Sequence, residues 1–165
     1  MKIFILVFSF LLDGIISNLL HIGSLFLPLC SLVSLIIVYP YFNGNKRDYY
    51  KYTFLFGLAY DLIYTDTLVF YAFLFLFMAF IITKLTLVLS DNYLNLVLIT
   101  IILIILYRSV SYILIFITVN IIFDYHILLK GIYSSLIFNI IYAVILLTIT
   151  NYISDRFNIK KSSHY

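Results

Sequence analysis

Long apolar runs separated by short polar segments follow one another along almost the whole chain. Six of these runs approach the length of a membrane-crossing helix, which needs about 20 residues at a rise of 1.5 Å per residue. The runs are Ile3–Leu20, Leu25–Phe42, Tyr52–Tyr64, Leu68–Leu89, Leu94–Ile122 and Gly131–Ile153. Their connections are short, so we expect successive helices to be antiparallel neighbours. The pattern predicts an all-α integral membrane protein built as a bundle of six transmembrane helices.

Composition supports this prediction. Apolar residues make up 65% of the chain, only 10% of the residues are charged, and the mean hydropathy is +1.16. A soluble domain has about a quarter of its residues charged, so this chain cannot cover itself with a hydrated surface. Its 165 residues have room for one domain, and we assign residues 1–165 to a single transmembrane domain.

The first apolar run follows Met1 and Lys2 and superficially resembles a secretory signal peptide. However, Asp13 and Gly14 interrupt its apolar core, and no cleavage site of the Ala-x-Ala type follows. We therefore expect this run to be retained as a membrane helix.

The positions of Lys and Arg predict the orientation, because cytoplasmic loops are enriched in both residues. With the N-terminus in the cytoplasm, six crossings leave Lys130 outside and Arg108 within the membrane. The cytoplasmic side then holds Lys2, Lys46, Arg47, Lys51, Lys84, Arg156, Lys160 and Lys161. Both termini are predicted to be cytoplasmic. An aromatic belt is expected at the same interface, formed by Tyr39, Tyr41, Tyr49, Tyr50, Tyr52 and Tyr152.

The third run contains the most informative spacing. Gly57 and Asp61 are four residues apart in apolar sequence, so a helix places the acid one turn above the gap at the glycine. A carboxylate is costly in hydrocarbon, and we expect it to face protein or a wet crevice.

Three ionisable residues lie deep in predicted membrane helices: Asp13, Asp61 and Arg108. All three are expected at a similar depth, with both acids about 15 Å from the cytoplasmic side. We predict that Arg108 is paired with one of the two acids. A structural pair that fixes helix register is favoured over a substrate or proton site, because a proton relay needs more titratable groups in series.

Small and polar residues line one side of three predicted helices. The rows are Ser9, Asp13 and Ser17; Arg108, Ser111 and Tyr112; and Ser135, Asn139 and Tyr142. Such rows usually join helices through close contacts and interhelical hydrogen bonds. A ligand cavity lined by the same residues is the alternative.

The two prolines mark the limits of the second run. Pro28 suits the first turn of a helix, where its missing N–H costs nothing. Pro40 is predicted to terminate that helix.

The residues that could perform chemistry do not form a recognisable site. A lone cysteine, Cys30, excludes an internal disulfide and a thiolate metal site. His21, His126 and His164 lack metal-ligand spacing, and no serine has a plausible base nearby. The sequence has no nucleotide-binding fingerprint, and its net charge of +3 is too small for a nucleic-acid surface. We expect no catalytic, cofactor or metal site, no nucleic-acid partner and no enzymatic activity.

The chain resembles the rod shape-determining protein MreD family of bacterial cell-wall elongation. The resemblance begins at Pro28, continues through Phe54-x-x-Gly57-x-x-x-Asp61-x-x-Tyr64-Thr65 and the fourth apolar run as far as Lys84, and includes Asn139. It departs from the family at Val69, where a glycine is common, which weakens the expectation of close helix approach there. Arg108 has no counterpart in the family pattern, so no role is transferred to it.

The resemblance implies a non-enzymatic scaffold in the bacterial cytoplasmic membrane that acts in the rod complex and in the regulation of cell shape. It implies contacts with membrane lipid, an MreC-like bitopic protein, a glycan polymerase and transpeptidase pair, and an MreB-type cytoskeleton. Pro28, Gly57, Asp61 and Asn139 then serve packing or partner docking. The fold is expected to be similar to the substrate-binding subunits of energy-coupling-factor transporters.

Two other functions are compatible with the same six-helix plan. The first is a vitamin-type binding subunit of an energy-coupling-factor transporter, which needs a deep pocket with several convergent polar groups. The second is an intramembrane enzyme or flippase, which needs an acid–base pair.

Overall fold

A computed structural model describes residues 1–19, 28–42, 44–64, 69–88, 92–119 and 124–158 of the chain. Its helices are α1 (Lys2–Leu19), α2 (Cys30–Val38), a short 3₁₀ helix (Tyr39–Phe42), α3 (Lys46–Tyr64), α4 (Phe70–Val88), α5 (Tyr93–Val119) and α6 (Tyr125–Arg156). No strand occurs among the described residues, so the all-α prediction is confirmed for this part of the chain.

Three of the helices are long and apolar enough to cross a membrane. Their apolar stretches are Phe70–Leu87, Tyr93–Leu114 and Tyr125–Arg156, while Cys30–Phe42 forms a shorter apolar helix. These helices indicate a membrane protein. Membrane crossing by all six predicted helices stays a prediction.

Helices α3 and α6 begin earlier than the apolar runs predicted, at Lys46 rather than Tyr52 and at Tyr125 rather than Gly131. Polar residues at each start explain the difference. The Asn45 side chain accepts from the Asp48 N–H and donates to the Asp48 carboxylate, and Asp124 caps α6 by accepting from the His126 N–H. Such side chains satisfy the free N–H groups of a first turn, so the helix extends into polar sequence. His126 therefore lies in the first turn of α6.

Consecutive helices pack as pairs, α1 with α2, α3 with α4 and α5 with α6. Helix α2 lies at the centre, where it also contacts α4, α5 and α6. Every residue from Cys30 to Val38 is buried. A helix that is apolar on all sides fits this position, and Pro40 lies in the 3₁₀ helix that follows the end of α2.

The outside of the bundle is apolar. Leu62 and Leu94 are 82% and 73% exposed, and large apolar side chains on α1, α3, α4, α5 and α6 are exposed in the same way. An apolar exterior of this extent is typical of a surface that faces lipid or other proteins.

The predicted aromatic belt is wrong for three of its members. Tyr39, Tyr41 and Tyr49 are buried, whereas Tyr152 is 65% exposed. Tyr49 packs edge-on against the rings of Tyr39 and Phe42, with centroid distances of 4.9 and 5.4 Å. Its hydroxyl donates to the Leu35 carbonyl at 3.1 Å, so these rings join the start of α3 to the end of α2.

We expect Tyr49→Phe to lower the free energy of unfolding by about 1 kcal/mol, because it removes one buried hydrogen bond. The loss is moderate because the Leu35 carbonyl also accepts from the Tyr39 N–H. Reversible SDS-driven unfolding in detergent micelles measures the change. Tyr152→Phe at the exposed position is the control and should have no effect; equal stability of the two variants would contradict the Tyr49 contact.

Candidate functional site

The start of α2 lies inside the bundle, where its first N–H groups cannot reach water. A helix leaves its first four N–H groups without partners of its own. The residue before the helix, Leu29, has an apolar side chain and makes no side-chain cap. The acceptors therefore have to come from other helices.

Two side chains from neighbouring helices supply these acceptors. The Asp13 carboxylate on α1 accepts from the Cys30 N–H through Oδ1 at 2.6 Å and from the Ser31 N–H through Oδ2 at 2.8 Å. Asn139 on α6 accepts from the Leu29 N–H through Oδ1 at 2.8 Å. Three successive N–H groups are thus satisfied, and α1 and α6 are both fixed to the start of α2.

Pro28 lies immediately before this cluster. It is outside the α-helix and precedes the capping position, whereas the sequence predicted it in the first helical turn. The α-helix is described from Cys30 onward, and the N–H groups of Leu29, Cys30 and Ser31 at its start bond to Asn139 and Asp13. Pro28 has no N–H of its own, so it adds no further donor that would need an acceptor.

Asp61 forms the same arrangement with α4. Its Oδ1 accepts from the Tyr71 N–H at 3.0 Å, and its Oδ2 accepts from the Ala72 N–H at 2.9 Å. Asp61 is 2% exposed. A carboxylate at the start of a helix also interacts favourably with the positive end of the helix dipole. Backbone N–H groups therefore supply positive potential to both buried acids.

Gly57 admits the backbone of α4 next to this cap. A Cβ atom at Gly57 would lie 2.5 Å from Ala72 Cα, closer than real Cβ contacts occur. Gly57 therefore leaves room for Ala72 of α4, and Asp61, one turn further along α3, accepts from the Ala72 N–H. The neighbour that approaches Gly57 belongs to the chain itself.

Val69 directly precedes α4 and has a backbone conformation that favours glycine. Its φ is 65°, in the left-handed region that a β-branched residue rarely adopts. A valine therefore stands at a position whose backbone conformation a glycine would adopt more easily. Close approach of α3 and α4 still occurs three residues later, at Ala72.

A second glycine contact joins α1 to α3. The Tyr64 ring lies against Gly14, where any Cβ would collide with the ring. The Tyr64 hydroxyl donates to the Phe10 carbonyl at 2.8 Å. The Tyr64 position of the motif thus packs against the helix that carries Asp13.

Arg108 does not form the predicted ion pair with Asp13 or Asp61 in the part of the chain that the structure describes. Its Nε donates to Ser135 Oγ at 2.9 Å, and its guanidinium carbon lies 5.9 Å from the centre of the Tyr107 ring. The pairing prediction is therefore corrected. Each acid already accepts from two backbone N–H groups, which provide the positive potential that Arg108 was expected to supply.

The polar rows join helices as expected. Ser9 and Tyr142 share a hydrogen bond of 2.7 Å between α1 and α6, and the bond from Arg108 to Ser135 joins α5 to α6. Ser17 is exposed and does not extend the first row into the core. Tyr112 accepts from the Asp124 N–H at 2.8 Å and donates to its carbonyl at 2.9 Å, which fixes the start of α6.

Several residues named in the sequence analysis lie outside the described residues. They include Thr65, His21, His164, Lys160, Lys161 and the run boundaries Leu20, Leu25, Leu68, Leu89 and Ile122. The backbone donors of the two caps could not be recognised from the sequence. Pro28 before α2 was one available signal, because prolines cluster at helix starts.

Comparisons with family models, curated proteins and solved structures find no match for this chain. Two buried carboxylates and one buried amide hold two helix starts in place, and each uses its acceptor oxygens on backbone N–H groups.

We expect Gly57→Ala to lower the free energy of unfolding by about 1–3 kcal/mol, because the added methyl group meets the α4 backbone. Gly131→Ala is the matched control. Gly131 lies within α6 and has nothing within 4 Å of an added Cβ, so the change should stabilise the protein by up to about 1 kcal/mol. Unfolding in mixed micelles measures both changes; a Gly57→Ala protein as stable as the wild type would contradict the close contact.

The conformation of Val69 predicts an order of stability among substitutions at this position. Val69→Gly should be more stable than Val69→Ala by about 1 kcal/mol, because glycine accepts a positive φ without steric cost. At Val97, within α5, the order should reverse, because glycine weakens a helix interior by a similar amount. Alanine more stable than glycine at both positions would show that Val69 is not left-handed in solution.

Proposed function

We propose that the chain is a non-enzymatic scaffold of the bacterial cell-wall elongation complex, of the MreD type, and that it acts in cell shape regulation. It lies in the cytoplasmic membrane as a six-span protein with both termini in the cytoplasm. Its partners are an MreC-like bitopic protein, the glycan polymerase and transpeptidase pair of the rod complex, an MreB-type cytoskeleton and membrane lipid. The proposal combines the sequence resemblance with the physical role of the residues on which the resemblance depends.

The observation that carries the proposal is the convergence of the motif residues on two helix starts. Pro28 and Asn139 lie at the start of α2, while Gly57 and Asp61 lie at the start of α4. Three distant parts of the chain supply these residues, yet all of them lie at a helix start. A motif whose residues position helices fits a protein that presents fixed surfaces to partners better than one that transforms a substrate.

The outside of the protein offers two kinds of surface for such partners. Exposed apolar side chains cover the outer helix faces, which suits contacts with transmembrane segments. Exposed cations at Lys46, Arg47, Lys51 and Lys84 suit contacts with cytoplasmic partners on the proposed orientation.

The alternative is a small-molecule-binding membrane subunit of a vitamin-type transporter. Arg108 favours it, because this half-buried guanidinium donates through Nε to Ser135 and makes no other hydrogen bond to the described residues. A solute anion could use the remaining donors. A crosslinking pull-down from native membranes separates the two functions: a scaffold recovers wall-synthesis proteins, and a transporter subunit recovers transporter ATPases.

We expect Asp61→Ala to reduce recovery of the bitopic partner and to impair cell elongation, because two N–H groups of α4 lose their acceptor and the α3–α4 surface shifts. Co-purification from the native host measures the effect. Asp155→Ala removes an exposed carboxylate and is the matched control, with full recovery expected. Asp61→Asn keeps the side-chain volume and one acceptor, so its recovery should be intermediate. Undiminished partner in a folded Asp61→Ala protein would contradict the proposal.

A further inference from the structure

An open groove of about 530 Å³ lies on the outside of the α3–α4 pair. It is lined by Tyr50 from α3 and by Phe73, Leu76, Phe77 and Phe80 from α4. The three phenylalanines are 64%, 48% and 51% exposed, respectively. Their rings therefore present an apolar surface to the outside of the bundle.

One end of this groove is cationic. Phe73, Phe77, Phe80 and Lys84 follow one face of α4 at helical spacing, and Lys84 Nζ lies 5.6 Å from the centre of the Phe80 ring. The apolar row thus ends in an exposed ammonium group, one turn beyond the last ring.

Helix α3 adds cations at the same level. The Tyr50 hydroxyl and Thr83 Oγ1 share a hydrogen bond of 2.9 Å, which places the next residues, Lys51 and Lys84, at the same end of the two helices. Arg47 precedes Tyr50 on α3 by about one helical turn, and Arg47, Lys51 and Lys84 are all exposed. The nearby acid, Asp48, accepts from the Asn45 side chain.

We infer that this groove binds one anionic glycerophospholipid. Its acyl chain lies along Phe73, Phe77 and Phe80, and its phosphate lies between Lys51 and Lys84. The proposal requires only that the chain lies in a membrane, and it is independent of the scaffold function.

The order of apolar rings and cations along the groove favours a lipid over a transmembrane segment of another protein. A phospholipid joins an apolar chain to a phosphate at the membrane interface, in the order in which the groove joins aromatic rings to cations. Lys and Arg near a membrane surface attract anionic lipid with about fivefold affinity for each charge. A partner helix would have to bring its own acid to the level of Lys84.

Native mass spectrometry of the full chain in detergent, titrated with phosphatidylglycerol or phosphatidylcholine, tests the inference. The wild type should retain one phosphatidylglycerol in preference to phosphatidylcholine. Lys51→Gln and Lys84→Gln should each weaken phosphatidylglycerol binding about fivefold and leave phosphatidylcholine binding unchanged, which also shows that the variants are folded. Lys130→Gln removes an exposed cation in the first turns of α6, a helix that does not line the groove, and should leave the binding of both lipids unchanged.

A variant of the groove wall completes the test. Phe77→Ala should weaken the binding of both lipids, because it removes the ring in the middle of the apolar row. Equal retention of the two lipids by the wild type, or phosphatidylglycerol binding that is unaffected by Phe77→Ala, would overturn the inference. Recovery of a dimer that is lost in Phe77→Ala would assign the groove to a second copy of the chain and would also overturn it.

Discussion

A helix that begins inside an apolar bundle must find acceptors for its first N–H groups, and this requirement organises the structure. Water is not available there, and an unsatisfied buried donor costs about 1–3 kcal/mol. Helix α2 meets the requirement with Asp13 and Asn139, and α4 meets it with Asp61. Each acceptor comes from another helix, so the bonds that satisfy the backbone also fix how the helices pack.

The same bonds explain how two acids remain buried in so apolar a chain. Each carboxylate accepts from two successive N–H groups at distances of 2.6–3.0 Å. Hydrogen bonds to a charged acceptor are the stronger kind, and the positive end of the helix dipole adds to them. An arginine is therefore not required beside either acid, and Arg108 instead joins α5 to α6 through Ser135.

The location of the helices and the role of Gly57 could be predicted from the sequence, because both depend on local pattern. Apolar runs determine where membrane helices lie, and a Gly-x-x-x-Asp spacing places a gap below an acceptor on any helix. The donors opposite Asp13 and Asp61 could not be predicted, because they are backbone groups of helices that meet only in the folded protein. The early starts of α3 and α6 depend on Asn45 and Asp124, whose capping bonds outweigh the polar character of the first turn. The predicted pairing of Arg108 with an acid was wrong for the same reason, because the backbone N–H groups that bond to Asp13 and Asp61 cannot be recognised from the sequence.

Amide-proton NMR of the protein in micelles tests the central claim most directly. A charged acceptor moves an amide-proton resonance downfield, so the amides of Cys30, Ser31, Tyr71 and Ala72 should all be shifted in the wild type. Asp13→Ala should return only Cys30 and Ser31 to ordinary helical shifts, and Asp61→Ala should return only Tyr71 and Ala72. Amide shifts that do not respond to the matching substitution would show that these acids do not cap the two helices.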